Sequence, residues 1–192
     1  MLATRISFMN EMANLSEKLG ADIEQIRLGI GSDSRIGYDF LYPGCGFGGS
    51  CFPKDIKALI KMGVKNGEKL QVLSSVEKTN TMQKLVIVKK IINYFGEFLK
   101  DKTFAIWGLS FKPGTDDMRE APSITIINEL LKRQALIVCY DPVAMNSAKK
   151  IFKQTISFAK TPTEAVGSAN ALIILTEWQE FRSLDLSIIS KK

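Results

Sequence analysis

The stretch that decides the fold is Thr103-Phe-Ala-Ile-Trp-Gly-Leu-Ser-Phe-Lys-Pro-Gly114. Its first five residues predict a short buried strand, and Gly108 ends that strand. Strand and helix patterns then alternate, with helices at about 123–134, 144–152 and 163–166 and strands at 136–140, 157–158 and 171–175. This alternation predicts a parallel, doubly wound sheet.

Ligands of such sheets bind at the carboxyl ends of the strands, where three candidate segments lie. These segments are Gly108–Arg119, Asp141-Pro142 and Thr176–Trp178. The first is not a GxGxxG fingerprint, but Lys112 suits a phosphate or sugar hydroxyl and Arg119 suits a phosphate. The alternative is that the charges from Asp116 to Glu120 form a solvated cluster that caps the next helix.

The residues before this region carry helical patterns only. We predict helices at about 6–19, 22–30 and 53–64, a long helix at 70–95, and a glycine-rich, aromatic loop at 32–49. The long helix either carries an oligomer interface or simply covers the core. The sequence therefore predicts an α + α/β fold, with an all-helical domain at 1–100 and a Rossmann-like, doubly wound parallel sheet domain at 101–192.

One cysteine lies between a glycine-rich turn and a predicted helix start, in Gly46-Phe-Gly-Gly-Ser-Cys-Phe-Pro-Lys-Asp55. Glycine permits a tight turn close to a ligand, and Pro53 suits a first helical position. Cys51 would then precede a helix N-terminus, where the partial positive charge favours a thiolate. Lys54 and Asp55 add a charge and a candidate acid or base. The alternative is a buried cysteine in a packed turn, which explains the adjacent glycines and the proline poorly.

Composition limits the chemistry that this chain can perform. It has 192 residues, a net charge of +6 and no histidine. The lack of histidine excludes Ser-His-Asp and Cys-His catalysis and His-containing zinc sites, so acid or base work falls to Asp, Glu, Lys, Tyr or water. Three cysteines argue against a disulfide framework, and we expect no metal site.

Charge and hydropathy patterns limit the partners. The lysines are scattered and no recognition-helix motif or aromatic-basic stripe accompanies them, so we expect no nucleic-acid partner. No apolar run approaches the roughly 20 residues of a membrane helix, and the first residues lack a signal-peptide pattern. We therefore expect a cytoplasmic protein with no membrane partner.

Five segments, taken in their order and spacing, resemble one known family. They are Ala3–Glu11, Gly31–Gly37, Gly46–Asp55, Gly108–Arg119 and Thr176–Trp178. They resemble the UDP-glucose/GDP-mannose dehydrogenase family over essentially the whole chain, and the cysteine motif looks most like the branch that acts on UDP-glucose. The resemblance implies that residues 1–100 form the central dimerisation domain, and that 101–192 form a UDP-sugar-binding domain that is incomplete at its C-terminus.

The resemblance implies an NAD-dependent, twofold oxidation of UDP-glucose at the sugar C6 to UDP-glucuronate. Cys51 would attack the aldehyde to form a thiohemiacetal, whose oxidation gives a thioester that water hydrolyses. Asp55 matches an aspartate that positions or activates this water. Arg119 matches a residue near the NAD pyrophosphate. The implied substrate contacts are Arg35 (inserted into the neighbouring subunit's site), Phe40, Leu41, Tyr42, Pro43, Gly44, Phe47, Gly48, Phe111 and Lys112.

The departures from the family pattern shape the expected activity. The family's GxGxxG domain and its catalytic lysine and asparagine have no counterpart here, nor do the last strand and arginine expected after Ile188-Ile189. Cys45 replaces a residue that is usually small or apolar, and it receives no role. We expect a portion of such a dehydrogenase, from a split or truncated reading frame, that is inactive alone and forms a homodimer through its helical domain. The alternatives are a non-catalytic UDP-sugar-binding dimerisation module, or a truncated dehydrogenase of the GDP-mannose or UDP-amino-sugar branch.

Overall fold

The structure is a computed structural model, and it describes residues 1–184. The chain forms two compact units that divide after Val86. The predicted boundary near Lys100 lies further along, so the end of the helix predicted at 70–95 is grouped with the second unit. The expectation about the segment at Ile188-Ile189 lies outside the described residues.

The first unit is built from helices. They are α1 (Leu2–Leu19), α2 (Ile23–Gly31), α3 (Phe52–Lys65) and α4 (Gln71–Gln83). α1 ends at Gly20, whose φ of 68° lies in the left-handed region that glycine adopts readily. α2 begins after Asp22, whose carboxylate accepts a hydrogen bond from the Glu24 N–H at 2.8 Å. Both helix ends confirm the sequence prediction.

The predicted loop at 32–49 contains neither helix nor strand, as expected. It nevertheless contributes to the core of the first unit, because Phe47 is buried with Ala3 of α1, Ile56 of α3 and Val76 of α4. α4 packs against both α1 and α3. The surrounding helices therefore fix the end of the loop, from Phe47 to the start of α3.

The prediction of one long helix at 70–95 is wrong, since α4 is followed by a separate helix, α5 (Val86–Phe95). The Leu85 N–H donates to the Met82 carbonyl at 3.0 Å, a bond of 3₁₀ type that interrupts the α-helical ladder. Lys84 at the break is buried and adjoins Gly46. Tertiary packing determines the break, and the residues of this segment include no proline or glycine that would mark it.

The second unit contains a four-stranded parallel sheet in the described part of the chain. Its strands are β1 (Thr103–Trp107), β2 (Leu136–Tyr140), β3 (Ser157–Phe158) and β4 (Ala171–Ile174), in the order β3-β2-β1-β4. Its further helices are α6 (Pro122–Lys132), α7 (Met145–Phe152), α8 (Pro162–Val166) and α9 (Gln179–Arg182). The strand order reverses at β1, which confirms the predicted doubly wound fold.

The core of the second unit is centred on β1. Trp107, fully buried, stacks on Phe181 with ring centroids 5.1 Å apart and donates from Nε1 to the Pro162 carbonyl at 3.0 Å. In register, Trp107 lies opposite Tyr140 of β2 and Ile174 of β4. The carboxyl ends of β1 and β4 therefore flank the switch point at which such sheets bind ligands.

The length and apolarity of a helix decide whether it can cross a bilayer. Within residues 1–184, no helix is both long enough and apolar enough to do so. The longest helix of the first unit, α1, has 18 residues.

Candidate active site

Cys51 occupies the N-cap position of α3 and carries an exposed, free thiol. Its Sγ lies 3.7 Å from the Ser50 Oγ. The helix begins at Phe52, so Pro53 is its second residue. The sequence instead predicts Pro53 at the first helical position. Exposure of the thiol contradicts the alternative of a buried cysteine and leaves it available to a ligand at a helix N-terminus.

Asp55 lies one helical turn after the cysteine. Its N–H donates to the Cys51 carbonyl at 2.9 Å, so the two residues share one face at the start of α3. The Asp55 Oδ1 lies 3.5 Å from the Lys54 Nζ, and both side chains are exposed. A carboxylate that can accept a proton is thus positioned beside the thiol's end of the helix.

Aromatic contacts join the predicted substrate loop to the residue after the cysteine. The Phe52 ring lies 5.8 Å from Phe47, edge to face, and 6.3 Å from Phe40 between centroids. Phe40 has a φ of 59°, in the left-handed region that a bulky side chain rarely adopts. Such backbone strain persists only where the surroundings impose it, and it is frequent at ligand sites.

The remaining loop residues present one buried and several accessible groups. Leu41 is buried, Pro43 is half-buried, and Tyr42 is exposed with its ring 4.6 Å from the Arg27 guanidinium carbon. Arg27 is itself buried on α2 and pairs with Glu24, and the hydrogen bond from Arg27 lowers the pKa of that carboxyl. Sequence reasoning missed Arg27, whose guanidinium packs against the ring of Tyr42 in the loop.

Sequence reasoning also missed three amide side chains that hold the loop, and we call Asn10, Asn80 and Gln83 the amide clamp. The Phe47 N–H donates to Asn80 Oδ1 at 2.7 Å, and Asn80 Nδ2 donates to the Phe47 carbonyl at 3.0 Å. The Gly44 N–H donates to Asn10 Oδ1 at 2.7 Å, and Gln83 Nε2 donates to the Gly44 carbonyl at 2.8 Å. Gly48, predicted as a substrate contact, is buried immediately after this segment.

Arg35 extends into solvent from the same loop, with its side chain 87 % exposed. It pairs with Asp33 at 2.6 Å, and its hydrogen bond lowers the pKa of the Asp33 carboxyl. Arg5 donates to the neighbouring carbonyls of Ile36 and Gly37, which anchors the backbone beside it. The predicted role of Arg35 at a neighbouring subunit stays a prediction.

The predicted contacts Phe111, Lys112 and Arg119 lie in the second unit, on the loop after β1. Phe111 is half-buried, and the Lys112 Nζ lies 5.5 Å from its ring centroid. Arg119 forms a fork on Asp117, and this hydrogen bonding lowers the pKa of Asp117. The N-cap residue of α6 is Ala121, which makes no side-chain cap bond. A cleft of about 430 Å³ lies beside this pair, lined by Asp116, Asp117, Met118, Arg119, Ile124, Ser147 and Ile151.

Asp141 joins the three segments that were predicted to meet at the carboxyl edge of the sheet. Its carboxylate, on a residue only 1 % exposed, accepts from the N–H groups of Leu109 and Ala144, both at 2.7 Å. It also accepts from the N–H groups of Ser110 at 3.2 Å and Val143 at 2.9 Å. The Trp178 Nε1 donates to it at 3.3 Å, so this edge is held together around one buried carboxylate.

A dinucleotide would need backbone N–H groups at the end of β1, and these groups are already engaged. Asp141 takes the N–H groups of Leu109 and Ser110. Thr176 packs tightly against Gly108, since a Cβ at Gly108 would lie 2.5 Å from the Thr176 Cβ. The sheet in residues 1–184 therefore does not fit NAD in the manner of a fingerprint fold, and Arg119 remains a single candidate contact to it.

Comparison with known proteins identifies the family of this chain. Two family models match the chain, the UDP-glucose/GDP-mannose dehydrogenase family central domain over residues 1–82 and the UDP binding domain over 105–192. The chain is 45 % identical to the UDP-glucose 6-dehydrogenase of Pseudomonas aeruginosa, over 98 % of this chain and 43 % of that protein. It is 46 % identical to the UDP-glucose 6-dehydrogenase YwqF of Bacillus subtilis, over 97 % of this chain and 42 % of that protein.

A solved structure matches over a similar share of its length. The UDP-glucose dehydrogenase from the hyperthermophilic archaeon Pyrobaculum islandicum gives a TM-score of 0.92 at 33 % identity, over 96 % of this chain and 42 % of that chain. The chain thus spans less than half the length of these relatives. The two matched domains contain the cysteine loop and the loop after β1, and the chain belongs to the UDP-glucose/GDP-mannose dehydrogenase family.

Proposed function

We propose that this chain is part of an NAD-dependent UDP-glucose 6-dehydrogenase that forms UDP-glucuronate through Cys51. The observation that carries the proposal is the exposed Cys51 thiol at the N-terminus of α3, beside an aromatic loop built on Phe40 and Phe47. Relatives that are 45 % and 46 % identical over almost the whole chain are UDP-glucose 6-dehydrogenases, which favours this substrate over other nucleotide sugars.

In the proposed reaction the residues of the first unit perform the thiol and water steps. The Cys51 sulfur adds to the C6 aldehyde, and the resulting thiohemiacetal is oxidised to a thioester. Asp55 then accepts a proton from the water that hydrolyses the thioester. NAD would take up one hydride when the C6 alcohol becomes the aldehyde and a second when the thiohemiacetal becomes the thioester, and no residue within 1–184 is assigned a part in either transfer.

Each unit carries residues that are proposed to contact the nucleotide sugar. Residues 40–44, together with Phe47 and Gly48, would wrap the sugar, and Phe40 has the positive φ that is frequent at ligand sites. In the second unit, Lys112 offers an exposed ammonium to a phosphate, and Phe111 offers its ring beside it. Arg35 would reach the site of a neighbouring subunit, and Arg119 would contact the pyrophosphate of NAD.

The isolated chain is expected to reduce no NAD, because the sheet within residues 1–184 holds no fingerprint-type dinucleotide site. The test compares the chain with a chimera in which it replaces the matching residues of the P. aeruginosa relative. With UDP-glucose and NAD, the chimera should form NADH and the isolated chain should not. The chimera should prefer UDP-glucose to GDP-mannose and UDP-N-acetylmannosamine. NADH formed by the isolated chain, dependent on UDP-glucose, would refute the expectation of inactivity.

We also propose that the chain forms a homodimer through its helical unit. α3 and the start of α4 expose apolar side chains to solvent, namely Leu59, Met62, Val64 and Val72. The interface was predicted on one long helix from Leu70. Because that helix is broken after α4, only its α4 part contributes to the proposed interface. An exposed apolar set on adjacent helices is typical of an interaction surface.

The dimer is tested by sedimentation velocity at tens of micromolar chain. Val72 is 65 % exposed, so Val72→Glu should shift the chain to monomer without unfolding it, because a buried interfacial charge is costly. Asn128→Glu, on the exposed surface of α6, is the matched control and should leave the dimer intact. A monomeric unmodified chain at these concentrations would count against the proposal.

A further inference from the structure

The segment Gly44–Phe47 is held in an unusual way, by side chains that replace a strand partner. Both backbone polar groups of Gly44 and both of Phe47 are bonded by the amide clamp, at 2.7 to 3.0 Å. Asn80 alone takes both groups of Phe47, from 33 residues along the chain. Four well-made bonds on two residues, so spaced, define the path of the segment closely.

Gly46, one of the two residues between Gly44 and Phe47, fits closely against this clamp. Gly46 has a φ of 105°, in the region that favours glycine, and a Cβ there would lie 3.1 Å from both Asn80 Oδ1 and Lys84 Cγ. The clamp is supported in turn, because Asn14 Nδ2 donates to Gln83 Oε1 at 2.7 Å. Backbone conformation and side-chain packing therefore require the same geometry at this point.

One feature of the clamp is unfavourable for folding alone. The Asn10 Nδ2 is buried and has no hydrogen-bond partner among residues 1–184, while Oδ1 of the same amide bonds to Gly44. A buried unpaired donor opposes stability, so its presence here calls for another reason. The geometry of the loop that Asn10 holds is such a reason.

The clamp acts on Cys51 through a short path. Phe47 is followed four residues later by Cys51, and its ring packs edge to face on Phe52, the first residue of α3. Displacement of Phe47 would therefore move or fray the start of that helix. The thiol would then lose its fixed position at the N-terminus of α3.

We propose that Asn80, with Asn10 and Gln83, is a positioning residue for Cys51 that fixes the Gly44–Phe47 segment and thereby the reactivity of the thiol. The proposal deepens the proposed function and rests on Cys51 as its nucleophile. It assigns the clamp no contact with substrate.

The test measures the rate at which iodoacetamide alkylates Cys51 in the intact chain, by mass spectrometry. Cys45→Ser is the background, because Cys45 and Cys51 are close in sequence. Cys139 is buried, and its burial raises the pKa of the thiol, so it reacts slowly. In this background Asn80→Ala should slow alkylation roughly two- to fivefold, because the thiol is no longer held at the helix N-terminus.

Gly46→Ala disturbs the packing of the loop against Asn80 and leaves every side chain of α4 unchanged. It should slow alkylation by a similar factor, and it decides the matter if Asn80→Ala does not fold. Asn93→Ala, an exposed asparagine on α5, is the matched control and should react at the parent rate. Circular dichroism at the assay temperature establishes that each variant is folded.

A purely structural clamp would lower the melting temperature and leave the alkylation rate of the folded chain unchanged. An unchanged or faster rate in folded Asn80→Ala or Gly46→Ala would overturn the proposal. Alkylation needs no turnover, so this outcome leaves the proposed function intact. Turnover retained without the Cys51 thiol would instead overturn the proposed function.

Discussion

Replacing Cys51 with serine is expected to lower turnover of the chimera roughly 10³-fold or more, with little change in UDP-glucose affinity. A hydroxyl is a poor nucleophile unless a base activates it, and the chain contains no histidine to do so. The exposed position of the side chain makes the substitution structurally mild. NADH formation measures turnover, and titration calorimetry measures binding.

Cys45→Ser is the matched control for this experiment. Cys45 is partly buried in the same loop and has no assigned role, so turnover should stay within about twofold of the parent. Substantial turnover in Cys51→Ser would refute the nucleophile assignment. Equal losses in the two variants would attribute the effect to the loop and not to the Cys51 sulfur.

Replacing Asp141 with alanine is expected to lower the free energy of unfolding of the second unit by about 3 kcal/mol. The substitution removes one buried carboxylate and leaves four backbone N–H groups and the Trp178 indole without their acceptor. Buried donors that lose a charged acceptor carry the full cost of desolvation. The segments after β1, β2 and β4 should loosen together.

Urea unfolding followed by tryptophan fluorescence suits this prediction, because Trp107 and Trp178 both lie in the second unit. Asp116→Ala is the matched control, since Asp116 is exposed and accepts one bond, from the Ser147 hydroxyl at 3.3 Å. It should change the stability by about 0.5 kcal/mol or less. A loss below about 1 kcal/mol in Asp141→Ala would show that the carboxylate does not hold this edge together.

The elements that could be predicted are those that local pattern determines. The alternation after Thr103 predicts the parallel sheet, because each strand and helix must bury its own apolar side. Gly20 and Asp22 mark helix ends through backbone conformation and capping, which involve neighbouring residues only. The position of Cys51 at a helix start follows in the same way from Pro53.

The elements that could not be predicted depend on contacts between distant residues. The break between α4 and α5 follows from the packing of Lys84 against Gly46, and the support of Tyr42 follows from Arg27. Asp141 was correctly predicted at the carboxyl edge of the sheet, in a candidate ligand-binding segment. Its carboxylate instead accepts hydrogen bonds from backbone N–H groups.

A signal for the amide clamp was nevertheless present in the chain. Val76, Asn80 and Gln83 recur at helical spacing, and all three are buried on the same stripe of α4. Amides on a stripe that faces the core must find hydrogen-bond partners there. Periodicity can therefore indicate that such residues bind something, but the loop residues they bind follow only from the fold.

The central claim is that Cys51 carries the sugar during oxidation, and mass spectrometry of the acid-quenched chimera tests it most directly. Quenching during the first turnover with UDP-glucose and NAD should trap a UDP-glucuronyl group on the peptide that contains Cys51. The same peptide from Cys51→Ser should carry no added mass. A turnover that proceeds with the covalent group on another residue, or with a Cys51 peptide that stays unmodified throughout, would contradict the account.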